Sequence, residues 1–364
     1  MPLLTVRAPD VETFVQLAWD LNSRDPLWIA PMRARLRQEL TGQDAFGRYG
    51  RIQLFGCESD GRLVGRIAAI VNPHLLDPGG HPVGQVGYFE AEDDAEVASQ
   101  LFAAAFEWLR AAGARQVWGP MNGGPHRLHR FMTAGFDRDP FLFEPRNPPY
   151  YPRLFEANGF SPVSSWFSID TSGGRLREAV ANQPMLRVRR ATTDRYEIVR
   201  GTPSDAAAVL PRMHALLDAM WTGHIGYTSL ELAEFAELFA PALMLMSDGD
   251  VHFAVERATG RDVGWVFSYP DYASEVRALN GDARGWGRWL AHGARPRRLV
   301  LSTVGIAGDV RGSGLASALI RAVFQHCADD YEEGVIAIVV RELSGLQRIG
   351  PPTRQYALFA RQID

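Results

Sequence analysis

Residues Leu301 to Ala316 read LSTVGIAGDVRGSGLA, and their types and spacing suit a phosphorylated anion. A β-rich run, Leu299 to Ile306, leads into a turn holding Arg311, Gly312, Ser313 and Gly314. An apolar run of helical spacing, Leu315 to Cys327, follows. Glycine admits positive φ and lets a backbone come close to a ligand. The unpaired amides of a helix start, with the helix dipole behind them, favour negative charge. Arg311 adds a fixed, forked cation. The combination is a pyrophosphate cradle. No Gly-Lys-Ser or Gly-Lys-Thr follows, so the P-loop reading is poor.

The positions of Arg311, Gly314 and Ala316 resemble the Arg/Gln-x-x-Gly-x-Gly/Ala signature of the GNAT superfamily of N-acetyltransferases. The resemblance implies acetyl-CoA or another acyl-CoA as donor. Its pyrophosphate would lie on Arg311, Gly312, Ser313, Gly314, Leu315 and Ala316, with Ser302, Val304 and Ile306 along the preceding strand. It also implies that a backbone N–H within Ser302 to Val304 meets the thioester oxygen. The family often uses a tyrosine on its last helix to protonate the departing thiolate. Here Arg341 to Thr353 contains Gly345, Gly350, Pro351 and Pro352, which oppose a helix. Tyr356 is the tyrosine left for that role, and it is expected on a strand.

Acyl transfer to an amine also needs a proton acceptor. His214 and Asp218 are four apart and can share a helix face beside Trp221, with His224 close by. Glu256 alternates with His252 on a strand, which puts both on one face. A second constellation comprises Glu90, Asn122, His126, His129, Tyr150 and Tyr151. Glu90, Asn122, Tyr150 and Trp221 are the candidate acceptor-binding residues. Asn122 and its neighbouring prolines can equally build a tight turn. His126 and His129 have no evident third ligand, so no metal site is expected. From Ala273 to Arg298 six arginines surround Trp286 and Trp289. Such a segment grips RNA or forms a surface helix with snorkelling arginines; the second reading is preferred.

The elements that must position these residues occur twice. Gly61-Arg62-Leu63-Val64-Gly65 matches Gly260-Arg261-Asp262-Val263-Gly264, and Ala98-Ser99-Gln100-Leu101 matches Ala316-Ser317-Ala318-Leu319. The offset grows from 199 (260 − 61) to 218 (316 − 98), which places an insertion in the second half near Ala273 to Arg295. The expected architecture is α/β: two tandem GNAT-like domains, each a mixed twisted sheet flanked by helices. They span 1–172 and 195–364, with a linker at 173–194. Asp93, Asp94 and Glu96 align with Arg311, Gly312 and Gly314. Three carboxylates repel a pyrophosphate, or they simply cap a helix. Either way the second half is left as the CoA site. Phe89-Glu90, Trp118-Gly119-Pro120-Met121-Asn122 and Asn147-Pro148-Pro149-Tyr150-Tyr151 also resemble a bacterial group of acetyltransferase-like proteins.

The 364 residues suffice for two domains, and 46% apolar with 22% charged residues is ordinary for a globular chain. A net charge of −4 implies no general polyanion binding. Two cysteines, Cys57 and Cys327, suit a reducing compartment without a disulfide framework or zinc cluster. The sequence shows no signal peptide and no membrane-spanning stretch, so a cytoplasmic location is expected. The leading reading is a CoA-dependent N-acyltransferase acting on the amine of a small molecule or amino acid derivative, as monomer or homodimer. The alternatives are an aminoacyl-tRNA-dependent transferase on the same fold and a non-catalytic acyl-CoA-binding protein.

Overall fold

A computed structural model describes residues 4–171, 188–285, 296–327, 330–341 and 350–363. Its strands are β1 (Leu4–Arg7), β2 (Arg51–Ser59), β3 (Arg62–Leu76), β4 (Pro82–Ala91), β5 (Gln116–Gly119), β6 (Phe131–Ala134), β7 (Ser161–Thr171), β8 (Tyr196–Arg200), β9 (Val251–Glu256), β10 (Asp262–Pro270), β11 (Arg298–Ile306), β12 (Glu333–Val340) and β13 (Arg354–Gln362). Its helices are α1 (Val11–Asn22), α2 (Arg33–Leu40), α3 (Ala95–Ala111), α4 (Tyr151–Ala157), α5 (Arg190–Arg195), α6 (Ala206–Ala215), α7 (Leu217–Trp221), α8 (Leu232–Leu243), α9 (Ala273–Leu279) and α10 (Leu315–Cys327). No described helix is long and apolar enough to cross a membrane.

The chain forms two compact units. Unit 1 comprises Met1–Ser165, Ala273–Gly293 and Arg354–Asp364; unit 2 comprises Trp166–Tyr272 and Ala294–Thr353. In unit 1 the strand order is β1-β2-β3-β4-β5-β13, with β6 also on β13. β1 to β4 run antiparallel and β4–β5 is parallel, connected through α3. In unit 2 the order is β8-β9-β10-β11-β12, closed by the Trp166–Thr171 part of β7. There β8 to β11 are antiparallel and β11–β12 is parallel, connected through α10. The internal repeat of the sequence is thus a repeat of topology.

Each sheet is covered on both faces, for which the helix patterns supply the reason. α10 buries Leu315, Leu319, Ile320, Val323 and Phe324, a stripe of helical period, against Ala254, Val266, Leu299 and Leu301. α3 does the same for unit 1 with Val97, Leu101, Phe102, Ala105 and Leu109. Asp94 caps α3, accepting from Glu96 N at 2.8 Å and Val97 N at 3.3 Å. α1 and α2 cover the opposite face of unit 1 with Phe14, Trp19, Leu36 and Leu40 on Ala68 and Ile70.

The structure departs from the sequence reading at several points. The apolar run Ala242 to Met246 is the end of α8 and the turn after it, since Ala, Leu and Met continue a helix readily. The insertion expected within the second half packs with unit 1, as does the C-terminal strand β13. Trp19 Nε1 donates to Asn280 Oδ1 at 3.0 Å, and Arg277 pairs with Asp139 at 2.9 Å, which holds α9 there. The expected linker core, Trp286, Trp289 and the glycine at 345 lie outside the described residues.

Candidate active site

The middle of unit 2 opens where two parallel neighbours separate. β11 stays paired to β10 out to Ile306, but pairs with β12 only over Arg298–Leu301 against Glu333–Ile336. Both strands bulge at that point. Thr303 opposes Phe267 and Leu301 opposes Ser268, so Ser302 is the extra residue on β11. β12 slips against β7 between Ile336 and Val339. Past Leu301 the β12-facing edge of Ser302 to Ile306 therefore carries backbone groups with no strand partner among the described residues. An unpaired strand amide is the kind of donor that polarises a thioester carbonyl.

The strand then delivers the chain to the cradle. A single 3₁₀ turn, Gly308–Val310, precedes Arg311. Gly312 and Gly314 have φ of 80° and 86°, conformations in which other residues are strained. A β-carbon on Gly314 would lie 3.0 Å from Thr192 Oγ1. That hydroxyl donates to Ser313 O at 2.7 Å and holds the turn down. Ala318 N bonds Gly314 O at 3.2 Å as α10 begins, so the amides of Leu315, Ala316 and Ser317 have no acceptor within the helix. Ser313 Oγ is buried with no hydrogen-bond partner among the described residues. Three free amides, an orphaned hydroxyl and Arg311 together fit a pyrophosphate. Arg311 also tethers α7, since its Nη2 donates to Met220 O at 2.8 Å near the end of that helix.

α7 lies directly over the strand edge. A β-carbon on Gly305 would stand 1.6 Å from Met220 Cε, so the end of the Met220 side chain lies against the bare backbone of the strand there. Trp221 packs on Trp265, ring centres 5.4 Å apart, and Trp265 Nε1 donates to Met213 O at 3.2 Å. The structure therefore brings Trp221, His214, Asp218 and the cradle into one unit. Their chemistry differs from residue to residue. Asp218 accepts from Ser229 Oγ at 2.6 Å and from the Tyr227 hydroxyl. These bonds hold its carboxyl below the usual range, which makes it a weak base. His214 Nε2 lies 2.7 Å from Leu230 O, a contact that needs the proton on Nε2, so that in the neutral ring the lone pair is on Nδ1.

Glu256 and His252 do share a strand face, the one covered by α10 rather than by α6 and α7. Glu256 accepts from Arg195 at 3.0 Å and Thr259 Oγ1 at 2.9 Å, and both hold its carboxyl below the usual range. His252 is buried, and burial pushes its imidazole down to about 4. Tyr356 belongs to unit 1, where it is buried on β13 with its hydroxyl on Glu144. The resemblance-based acid role had no positional support in the sequence, because β13 is covalently last yet completes the first sheet.

Unit 1 repeats the geometry, with its own side chains on the corresponding backbone amides. β4 bulges at Tyr88–Phe89, since Glu90 opposes Arg66 and Gly87 opposes Ala68. Tyr88 has φ of 49°, and its N–H donates to Asn122 Oδ1 at 3.0 Å. The Asp94 carboxylate already occupies the first amides of α3. Glu90 is likewise engaged, accepting from Tyr151 Oη at 2.7 Å and Asn22 Nδ2 at 2.9 Å, with buried Arg66 3.8 Å away. Tyr150 donates to Ala91 O at 2.8 Å. Burial, and then Glu90, pushes its hydroxyl up to about 12. These are the contacts of a closed core. Sequence reasoning missed Tyr88, Arg66 and Thr192, for which no motif existed. Of the arginine-rich segment, Arg284, Arg297 and Arg298 pair with Asp282, Glu332 and Asp271. No group of three or more potential metal ligands occurs among the described residues.

This architecture is that of the GNAT N-acetyltransferases, present twice in one chain. A tandem GNAT protein from the clavulanic acid biosynthesis pathway superposes with a TM-score of 0.54 at 14% identity, over 100% of this chain and 99% of its own. In sequence the chain is similar to a bacterial ceramide synthase of Caulobacter vibrioides: 26% identity over 295 residues, 80% of this chain and 76% of that protein. It is also similar to protein YghO of Escherichia coli, 23% identical over 374 residues, covering 97% and 93% of the two chains. No family model matches the chain.

Proposed function

We propose that the protein is an acyl-CoA-dependent N-acyltransferase whose donor site lies in unit 2. The observation that carries the reading is the continuous path from the bulged, half-open edge of β11 to the Arg311–Ala316 cradle. When bound, acyl-CoA supplies a thioester activated for attack by an amine. The cradle amides and Arg311 hold the pyrophosphate. A β11 amide within Ser302 to Val304 donates to the thioester oxygen as negative charge develops there. The amine nitrogen bonds to the acyl carbon, the carbon–sulfur bond breaks, coenzyme A leaves as its thiolate and takes a proton from water, and the amine proton passes to His214 Nδ1. Asp218 and Tyr227 hold the α6–α7 corner in place.

The acceptor is a primary amine. The ceramide synthase named among the relatives directs the first choice, because a ceramide is the amide of a long-chain amino alcohol. Trp221 and Phe239, half-buried beside the core residues Trp265 and Phe267, give the α6–α8 face an aromatic surface that supports an apolar acceptor. The pairing of the described insertion arginines with carboxylates favours a packed surface over a tRNA-binding one.

The test is release of free thiol from acetyl-CoA and palmitoyl-CoA, measured with a panel of amines that includes a long-chain amino alcohol and a polar amino acid ester. Amine-dependent thiol release that falls sharply in His214→Gln supports the reading. Donor binding without turnover on any amine would leave a non-catalytic acyl-CoA-binding protein.

A further inference from the structure

On the β12 side of the cleft between β11 and β12 the backbone adopts a strained conformation. Ile338 has φ of 56°. A β-branched residue is a rare occupant of that region, and such backbone persists only where its surroundings impose it. Ile338 stands in the bulge between Ile336 and Val339, two residues past the last β11–β12 pair. Ser168 lies opposite, between Phe167 and Ile169 of β7, and is fully buried. Its Oγ accepts from Ile338 N at 3.0 Å. Thr353 holds that stretch of β7 in turn, its backbone N–H donating to Ser168 O at 2.9 Å and its Oγ1 accepting from Asp170 N at 3.1 Å. After the bulge, Val339 and Val340 continue on Phe167 and Trp166, so β12 follows β7 and leaves β11.

We infer that Ser168 and Ile338 form a latch that keeps the cleft wide enough for the pantetheine arm of an acyl-CoA. Both are positioning residues, and the inference rests on the acyl-CoA reading above. Without the latch the relaxed state of Ile338 is ordinary extended backbone. β12 then pairs further along β11 and covers the amides of Ser302 to Val304. The cradle lies beyond the cleft and is untouched by that change.

Two probes separate the two parts of the site. Coenzyme A needs cradle and cleft, whereas adenosine 3′-phosphate 5′-diphosphate carries the pyrophosphate and lacks the arm. In calorimetry on the full chain, Ser168→Ala is expected to weaken coenzyme A by about tenfold, the equivalent of one strained residue. Binding of the nucleotide should stay at the wild-type value. Ile338→Gly accepts positive φ without help, so it should bind coenzyme A like wild type, and adding Ile338→Gly to Ser168→Ala should restore binding. Where Ser168→Ala does not fold, Ser168→Cys keeps the volume, weakens the acceptor and makes the same comparison. Equal binding of coenzyme A by wild type and Ser168→Ala overturns the latch and leaves the acyl-CoA reading standing. Equal loss of both probes, or no rescue by glycine, shows a merely structural serine and also overturns it. A wild-type protein that binds neither probe sinks the acyl-CoA reading and the latch with it.

Discussion

Replacing Arg311 separates an anion cradle from an ordinary glycine turn. In the structure its exposed guanidinium spends one nitrogen on Met220 O at 2.8 Å and leaves the rest of its fork open. Arg311→Ala therefore removes two contributions. The bond to the end of α7 is worth about 1 kcal/mol of local stability. Charge-assisted bonds to a pyrophosphate are worth about 1.5–3 kcal/mol, which is roughly a tenfold to hundredfold rise in Kd. Arg311→Lys keeps the charge but loses the planar fork, so it should fall between the two. Titration calorimetry with acetyl-CoA measures all three proteins, and repeating it at high salt should narrow the gap, because exposed charges are screened. Thermal melts report the α7 tether separately. An Arg311→Ala protein that binds acetyl-CoA as tightly as wild type would refute the cradle.

Four further outcomes follow from the structure. The chain should bind one acetyl-CoA, because Asp94 and Asn122 already fill the corresponding positions of unit 1; a stoichiometry of two contradicts this. Burial pushes His252 down to about 4, below its usual value near 6.5, so its contribution to stability is complete above about pH 6.5 and is lost as pH falls towards 4. Burial also pushes its neighbour Asp250 up to about 6, and that contribution runs the other way, present at low pH and lost as pH rises through 6. His252→Leu should therefore gain about 1–2 kcal/mol relative to wild type between pH 7 and 4.5 in urea melts, and parallel curves would show that the pair does not titrate this way. Removing one partner of the buried Arg354–Glu144 pair by Arg354→Leu should cost about 3–5 kcal/mol. Tyr356→Phe should cost about 1–3 kcal/mol with no change in acetyl-CoA affinity. Normal stability with lost turnover in Tyr356→Phe would return that hydroxyl to the chemistry.

Local signals determined a large part of this protein. The Leu315–Cys327 helix, its preceding strand and the positive-φ glycines between them were legible because each rests on a short-range rule: an apolar period, β-branched residues, and a turn only glycine tolerates. The acidic residues before α3 were legible as a cap for the same reason. The tandem arrangement followed from two short matches and a common element order. Tertiary structure alone decided which unit each segment joins. Composition gives no sign that β13 and Ala273–Gly293 complete unit 1, since strand pairing and helix docking depend on partners hundreds of residues away. It also decided the fate of the polar candidates. Asp218, Glu256, Glu90 and Tyr356 were plausible by residue type, but type does not reveal whether a carboxylate or hydroxyl is open to a ligand or already satisfied by a neighbour. The two bulges that open the cleft have no sequence signature. One is a register shift of β11 against β10 and the other of β12 against β7, and strand pairing of that kind is settled only in the assembled sheet.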